Sequence, residues 1–104
     1  MIYEQRTYTC HPGKLQEFLD TYEREGLALQ TQVIGNLVGY FSTEIGPLNQ
    51  AIHIWAFDSF EERLKRRAEL WSKPEWVAFV DKILPLLATT ESKILLPTKF
   101  SPLQ

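Results

Sequence analysis

His53 and Trp55 stand two residues apart in the strand-like run AIHIWAF, so both side chains point to one side of a sheet. An imidazole titrates near neutrality and can exchange a proton with a bound ligand, which makes His53 the candidate catalytic residue. Trp55 and Phe57 extend the same side as a bulky aromatic wall suited to an apolar or aromatic compound. Ile52, Ile54 and Ala56 form a smooth aliphatic opposite side, of the kind that packs against helices. Tyr40, or Glu4 with Arg6 near the N-terminus, would add polar contacts. The expected ligand-binding set is therefore Glu4, Arg6, Tyr40, His53, Trp55 and Phe57. The plainer alternatives are a histidine that satisfies a buried carbonyl or carboxylate, a core tryptophan, and an exposed Glu4–Arg6 pair worth little.

Other chemistries find no residues. A mononuclear metal site needs three or four convergent ligands, whereas His11 and His53 are the only histidines and Cys10 adjoins His11 directly. A lone strand histidine is thin support for haem, and no glycine-rich loop offers a phosphate cradle. Ser42 lies in STEIG, which is not a nucleophile elbow. No metal and no cofactor are expected. Cys10 reads as a small packed hydrophobe. A net charge of -2 and a pI near 5.6 give no electrostatic footprint for nucleic acid. No apolar run approaches the ~20 residues of a membrane span, so no membrane insertion is expected. The opening MIYEQRTY lacks the features of a secretory signal, and a single cysteine suits a reducing compartment. Both point to the cytoplasm.

The elements that position these residues follow from periodicity. Residues 2–10 alternate as a first strand. His11-Pro12-Gly13 breaks it, and Leu15, Phe18, Leu19, Tyr22, Gly26 and Leu29 then mark one stripe of a helix. Gly26 weakens that helix by up to ~1 kcal/mol relative to alanine, which signals a kink or a close approach. Residues 37–45 form a second strand, with Gly39 marking a bulge or close contact. Residues 46–49 turn the chain and 51–57 form the third strand. Ser59 with Glu62 matches a capping box, and so does Ser72 with Glu75. Phe60, Leu64, Ala68 and Trp71 mark the expected inner face of the next helix, with Arg63, Lys65, Arg66 and Arg67 as a solvated basic patch. A second short helix, with Trp76, Phe79, Val80, Ile83 and Leu84 inward, is bent or ended by Pro85. Residues 92–96 form the last strand.

The order strand, helix, strand, strand, helix in two pieces, strand is the split βαβ arrangement of one α+β domain, residues 1–104. Its helices cover one face of a four-stranded antiparallel sheet. On the expectation that Trp55 and Phe57 face away from the helices, a second copy would cover them and enclose a shared space around His53.

YEQRTYTCHPGK, LVGYFSTEIGPLNQAIHIWAFDSFEERLKRRAEL and ESKILLPTKFSPL resemble the start, middle and end of NIPSNAP-type domains across essentially the whole chain. Phe57 stands where tyrosine is a familiar alternative, which removes a hydroxyl. The resemblance implies a dimeric α+β barrel, a ferredoxin-like protomer doubled through its sheet, and a homodimer or higher oligomer. It implies no generally established reaction. Three readings follow. One is a binder of a small apolar or aromatic molecule in the barrel cavity. Another is a cofactor-independent monooxygenase-like or isomerase-like enzyme. The third is a non-catalytic interaction module using Arg63, Arg66, Arg67 and the tail around Phe100.

Overall fold

A computed structural model describes all 104 residues. Strand β1 spans Ile2–Cys10 and is followed by helices α1 (Leu15–Glu25) and α2 (Leu27–Ile34). Strands β2 (Asn36–Ser42) and β3 (Gln50–Phe57) form a hairpin. Helices α3 (Phe60–Trp71) and α4 (Pro74–Ile83) follow, then a single 3-10 turn, Leu84–Leu86, and strand β4 (Leu87–Leu95). All four strands pair antiparallel in the order β2-β3-β1-β4. The split βαβ arrangement is thus present.

The expected barrel is not. The sheet is open, with β2 and β4 as its two edges and no pairing between them. The two faces of β3 are also the reverse of those expected. His53, Trp55 and Phe57 are buried beneath the helices, while Ile52 and Ile54 on the opposite face are only partly covered. The periodicity fixed which residues share a side, but not which side the helices take. Direct cross-strand partners share a face, so Ile2, Glu4, Arg6 and Tyr8 of β1 lie with Phe57, Trp55, His53 and Ala51 under the helix layer. The physical reason for the inversion is bulk. A helix layer accommodates the large aromatics of β3 against Phe18, Tyr22, Trp76 and Phe79 in one core, and the smaller aliphatic side is left for the open face.

Helix α3 is inverted too. Phe60, Leu64 and Ala68, expected inward, are exposed, with Leu64 69% exposed; Trp71 is partly exposed but meets Trp76 edge-on at the cavity. Arg63, Arg66 and Arg67 lie on the half-buried side instead. The buried Glu4 carboxylate draws Arg63 in. Arg66 donates to Glu62 and to the Val33 carbonyl at the end of α2. Long arginine stems cover apolar surface while their heads find partners, so a basic stripe can act as a packing face. Only Leu70 on α3 is buried.

The stripe on α1 behaves as expected: Phe18 and Tyr22 are buried, with Leu15 and Leu19 packed beside them. The helix divides at Gly26 because the Phe79 ring sits there, and a β-carbon at that position would meet it at 2.8 Å. Gly35, with φ +97°, turns the chain from α2 into β2. Ser59 Oγ accepts from the Glu62 amide, but the Glu62 carboxylate goes to Arg66 rather than back to the cap. Ser72 is no cap for α4, since its hydroxyl donates to the Glu69 carbonyl. β4 begins five residues earlier than its strand-like sequence, pairing with β1 through Thr89 and Thr90. The tail returns to the first strand, where the Tyr3 hydroxyl donates to the Gln104 carbonyl at 3.0 Å. No helix is long and apolar enough to cross a membrane.

Candidate functional site

Register places two rows of side chains side by side on the helix-covered face. One runs Tyr40, His53, Arg6, Ser92 across β2, β3, β1 and β4; the next runs Leu37, Trp55, Glu4, Ile94. Glu4 and His53, each 1% exposed, are the buried titratable groups of these rows.

Glu4 is fully partnered. Arg63 donates to it twice, through Nε at 3.0 Å and Nη2 at 2.9 Å. Arg6 Nη1 adds a bond at 2.9 Å and the Ser92 hydroxyl one at 2.6 Å. Burial alone would raise its pKa. The bonds from Arg63 and Ser92 and the charge of Arg6 outweigh that and hold it at about 2. A carboxylate with its acceptor sites filled in this way ties β1, α3 and β4 together.

His53 is half partnered. The Trp55 indole N–H donates to its Nδ1 at 2.7 Å. Indole is a donor only, so Nδ1 is the acceptor and the proton of the neutral ring sits on Nε2. Burial, then the charge of Arg6, push the His53 pKa down to about 3 against a weaker opposing effect of Glu4. At neutral pH the ring is a neutral Nε2–H donor. Protonating Nδ1 would sacrifice the bond from Trp55, so the arrangement favours hydrogen-bond donation over uptake of a proton.

Nε2 has no partner, and neither do the Tyr40 hydroxyl and the Trp76 indole N–H, although all three are buried. All three residues line one cavity of about 200 Å^3 between the sheet and helices α1, α3 and α4. Its walls are largely aromatic. The Tyr40 ring stacks on His53 at 4.5 Å and on Tyr22 at 4.8 Å, Tyr8 meets His53 edge-on at 4.9 Å, and Trp76 packs against Phe79 at 5.2 Å. Burial raises the pKa of both Tyr40 and Tyr22 well above the ordinary phenol range, so both stay protonated. Tyr22 donates to Gln30 Oε1 at 2.6 Å. Buried polar atoms without partners are uncommon, and here three fall in residues around one cavity.

Of the residues expected from sequence, Arg6, Tyr40 and His53 line this cavity. Glu4, Trp55 and Phe57 share its sheet face but lie outside the lining: Glu4 in the arginine cluster, Trp55 behind His53, Phe57 in the core. The cavity lies within one protomer, between its sheet and its helices, and is partly open at the exposed Trp71 and Leu84. Sequence reasoning missed Tyr22, Gln30 and Trp76, and read Arg67 as part of a solvated basic patch. Tyr22 and Trp76 read as ordinary inward positions, and nothing in their spacing separates a cavity wall from a packed core. Cys10 is a buried thiol whose pKa burial raises.

The NIPSNAP family model matches residues 3–102. A NIPSNAP family protein of Agrobacterium tumefaciens is 46% identical, with a TM-score of 0.96 over 99% of this chain and 98% of that one. A NIPSNAP-like domain protein of Burkholderia xenovorans is 50% identical, with a TM-score of 0.93 over 97% and 88%. The human protein NipSnap homolog 2 is 36% identical over 99% of this chain, which spans only 35% of that protein's length. An antibiotic biosynthesis monooxygenase shares the fold, with a TM-score of 0.67 over 94% and 99% of the two chains at 13% identity.

Proposed function

The chain belongs to the NIPSNAP family, and from that premise we propose that it binds a small, largely aromatic molecule in the cavity between its sheet and its helices. The observation that carries this reading is the trio of buried, unpartnered polar atoms on His53, Tyr40 and Trp76. Leaving such groups unpaired costs about 1–3 kcal/mol each, which a ligand's polar atoms would recover. A dry apolar cavity of ~150 Å^3 accepts benzene, so one of about 200 Å^3 has room for a substituted single ring. Native mass spectrometry of the freshly purified protein tests this. A mass excess of one small organic molecule, lost in the Tyr40→Phe and His53→Asn variants, is expected. A bare polypeptide, with ordered water alone in a crystallographic cavity, would refute it.

In an enzymatic version, resembling the cofactor-independent monooxygenases, His53 would act by donating from Nε2 to a ligand oxygen. Its tautomer and low pKa speak against a general base. Self-association is a separate proposal. The β2–β3 end of the open face pairs Phe41, 56% exposed, with the half-covered Ile52, and Ile54 lies beside them. A second copy lying over this patch would cover it. Phe41→Lys is then expected to shift the sedimentation coefficient toward that of a monomer. An unchanged value for that variant, or a monomer of 12.1 kDa in the native protein, counts against the patch.

A further inference from the structure

The charge and bond polarity of the cavity specify its ligand more closely, on the premise that the cavity is a binding site. Three arginines, Arg6, Arg63 and Arg67, cluster around a single acid, Glu4, which leaves two positive charges in excess. Glu4 is already saturated by Arg63, Arg6 and Ser92. Arg67 takes part in none of the ion pairs or side-chain hydrogen bonds, yet it is half-buried and lines the cavity beside Arg6. Burial first, and the neighbouring Arg6 second, make this a poor place for its charge, as the lowered pKa records. A guanidinium so placed lacks a counter-ion that the protein does not supply.

The unpartnered groups point the same way. His53 Nε2 carries its proton because Trp55 occupies Nδ1, and an indole N–H only donates. The Tyr40 phenol stays protonated and has its hydrogen to give. The one carbonyl side chain in the lining, Gln30, already accepts from Tyr22 through its oxygen. The residues that line the cavity therefore include donors without an internal acceptor and an unpaired cation, among aromatic side chains.

We infer that the ligand is an anion, a single aromatic or unsaturated ring bearing a carboxylate or an enolate oxygen, whose charge lies at Arg67 and whose oxygens accept from His53, Tyr40 and Trp76.

Calorimetric titration of the native protein with salicylate and with its neutral analogue salicyl alcohol tests this. Salicylate is expected to bind about tenfold or more tightly than the alcohol, and raising the salt concentration should narrow the gap by screening. Arg67→Gln should erase the preference by weakening salicylate alone, and Arg67→Lys should restore part of it. The salt series needs no variant, so it stands even if the substitutions impair folding. Equal affinities for the two probes, or a preference that Arg67→Gln leaves intact, would overturn the anion assignment while leaving the cavity a binding site for neutral molecules. Binding of neither probe would overturn both.

Discussion

Glu4 and His53 sit on adjacent strands, one row apart, equally buried under the same helices. One accepts four hydrogen bonds, and the other leaves a ring nitrogen unbonded. On the proposed reading, that difference separates scaffold from binding site on a single sheet face. Glu4 is charged, and a charge is tolerated in the interior only when its surroundings are complete. His53 is neutral, and a neutral donor can be left waiting at a cost of only a few kcal/mol. The arginine cluster locks β1, α3 and β4, and so holds the wall in which His53 is set. The incomplete group belongs to the cavity, and the complete one keeps the cavity's shape.

Acid should expose the two groups in different windows, and this is the largest effect expected. Both have depressed pKa values in the native state. For His53 the unfolded chain takes up a proton below about 6.5 and the native state only below about 3. The unfolded state binds more protons across that interval, so stability falls as pH falls through it, by roughly 5 kcal/mol at most. For Glu4 the interval runs from 4.5 to about 2, and the corresponding loss is roughly 3 kcal/mol. Urea denaturation at stepped pH should show decline beginning near pH 6.5 and steepening below 4.5. A profile flat down to pH 4.5 would contradict the neutral, buried His53.

Glu4→Gln comes next. It removes the counter-charge while leaving Arg6 and Arg63 largely covered. Breaking a buried ion pair from one side costs about 3–5 kcal/mol. Thermal or urea unfolding should show a loss of that size. A loss below about 1 kcal/mol would mean the cluster is no lock, and the contrast with His53 would dissolve.

Which of these groups can be read from the sequence follows the same division. The spacing of His53 and Trp55 and the alternation of Glu4 and Arg6 are visible because strands have a strict period of two. So is the order of elements, because strand and helix periods differ. What stays hidden is the choice of face. A strand carrying His53, Trp55 and Phe57 on one side and Ile52, Ile54 and Ala56 on the other offers two sides that could meet helices. Bulk decided it, and bulk is a property of the whole core. Helix α3 hid its orientation for a similar reason: its period is plain, but Arg63 faces inward only because Glu4, fifty-nine residues away, is buried. Trp76 joins the cavity through tertiary placement alone, and Arg67 reads locally as one of a solvated basic stripe.

Trp55→Phe is the third test and acts on the boundary between the two groups. It removes the 2.7 Å donor to His53 Nδ1 and leaves that nitrogen unpaired in the interior. The expected cost is about 1–3 kcal/mol. It also frees the tautomer. Long-range proton–nitrogen spectra of the imidazole should show Nε2–H in the native protein and a mixture with Nδ1–H in the variant. A native ring already protonated on Nδ1 would remove the basis for counting His53 as a donor to the cavity.

The smallest effect on stability is also the one that discriminates best. Tyr40→Phe deletes a hydroxyl that is buried and bonded to nothing, while the ring that stacks on His53 and Tyr22 remains. If that hydroxyl were structural, its loss would cost the usual ~1 kcal/mol of a hydrogen bond. Being unpaired, it contributes no such bond, and its removal relieves the burial of a polar atom. Unfolding free energy in the absence of ligand should therefore be unchanged or rise, by up to about 1 kcal/mol, the lower end of the cost of an unpaired buried hydroxyl. Salicylate affinity should nonetheless fall by about tenfold to a hundredfold, the worth of one hydrogen bond to a charged oxygen. A variant that binds less but folds no worse would place the Tyr40 hydroxyl, with His53, on the unfinished side of the sheet face. A loss of stability comparable to that of Glu4→Gln would show that this hydroxyl, too, is a closed part of the scaffold.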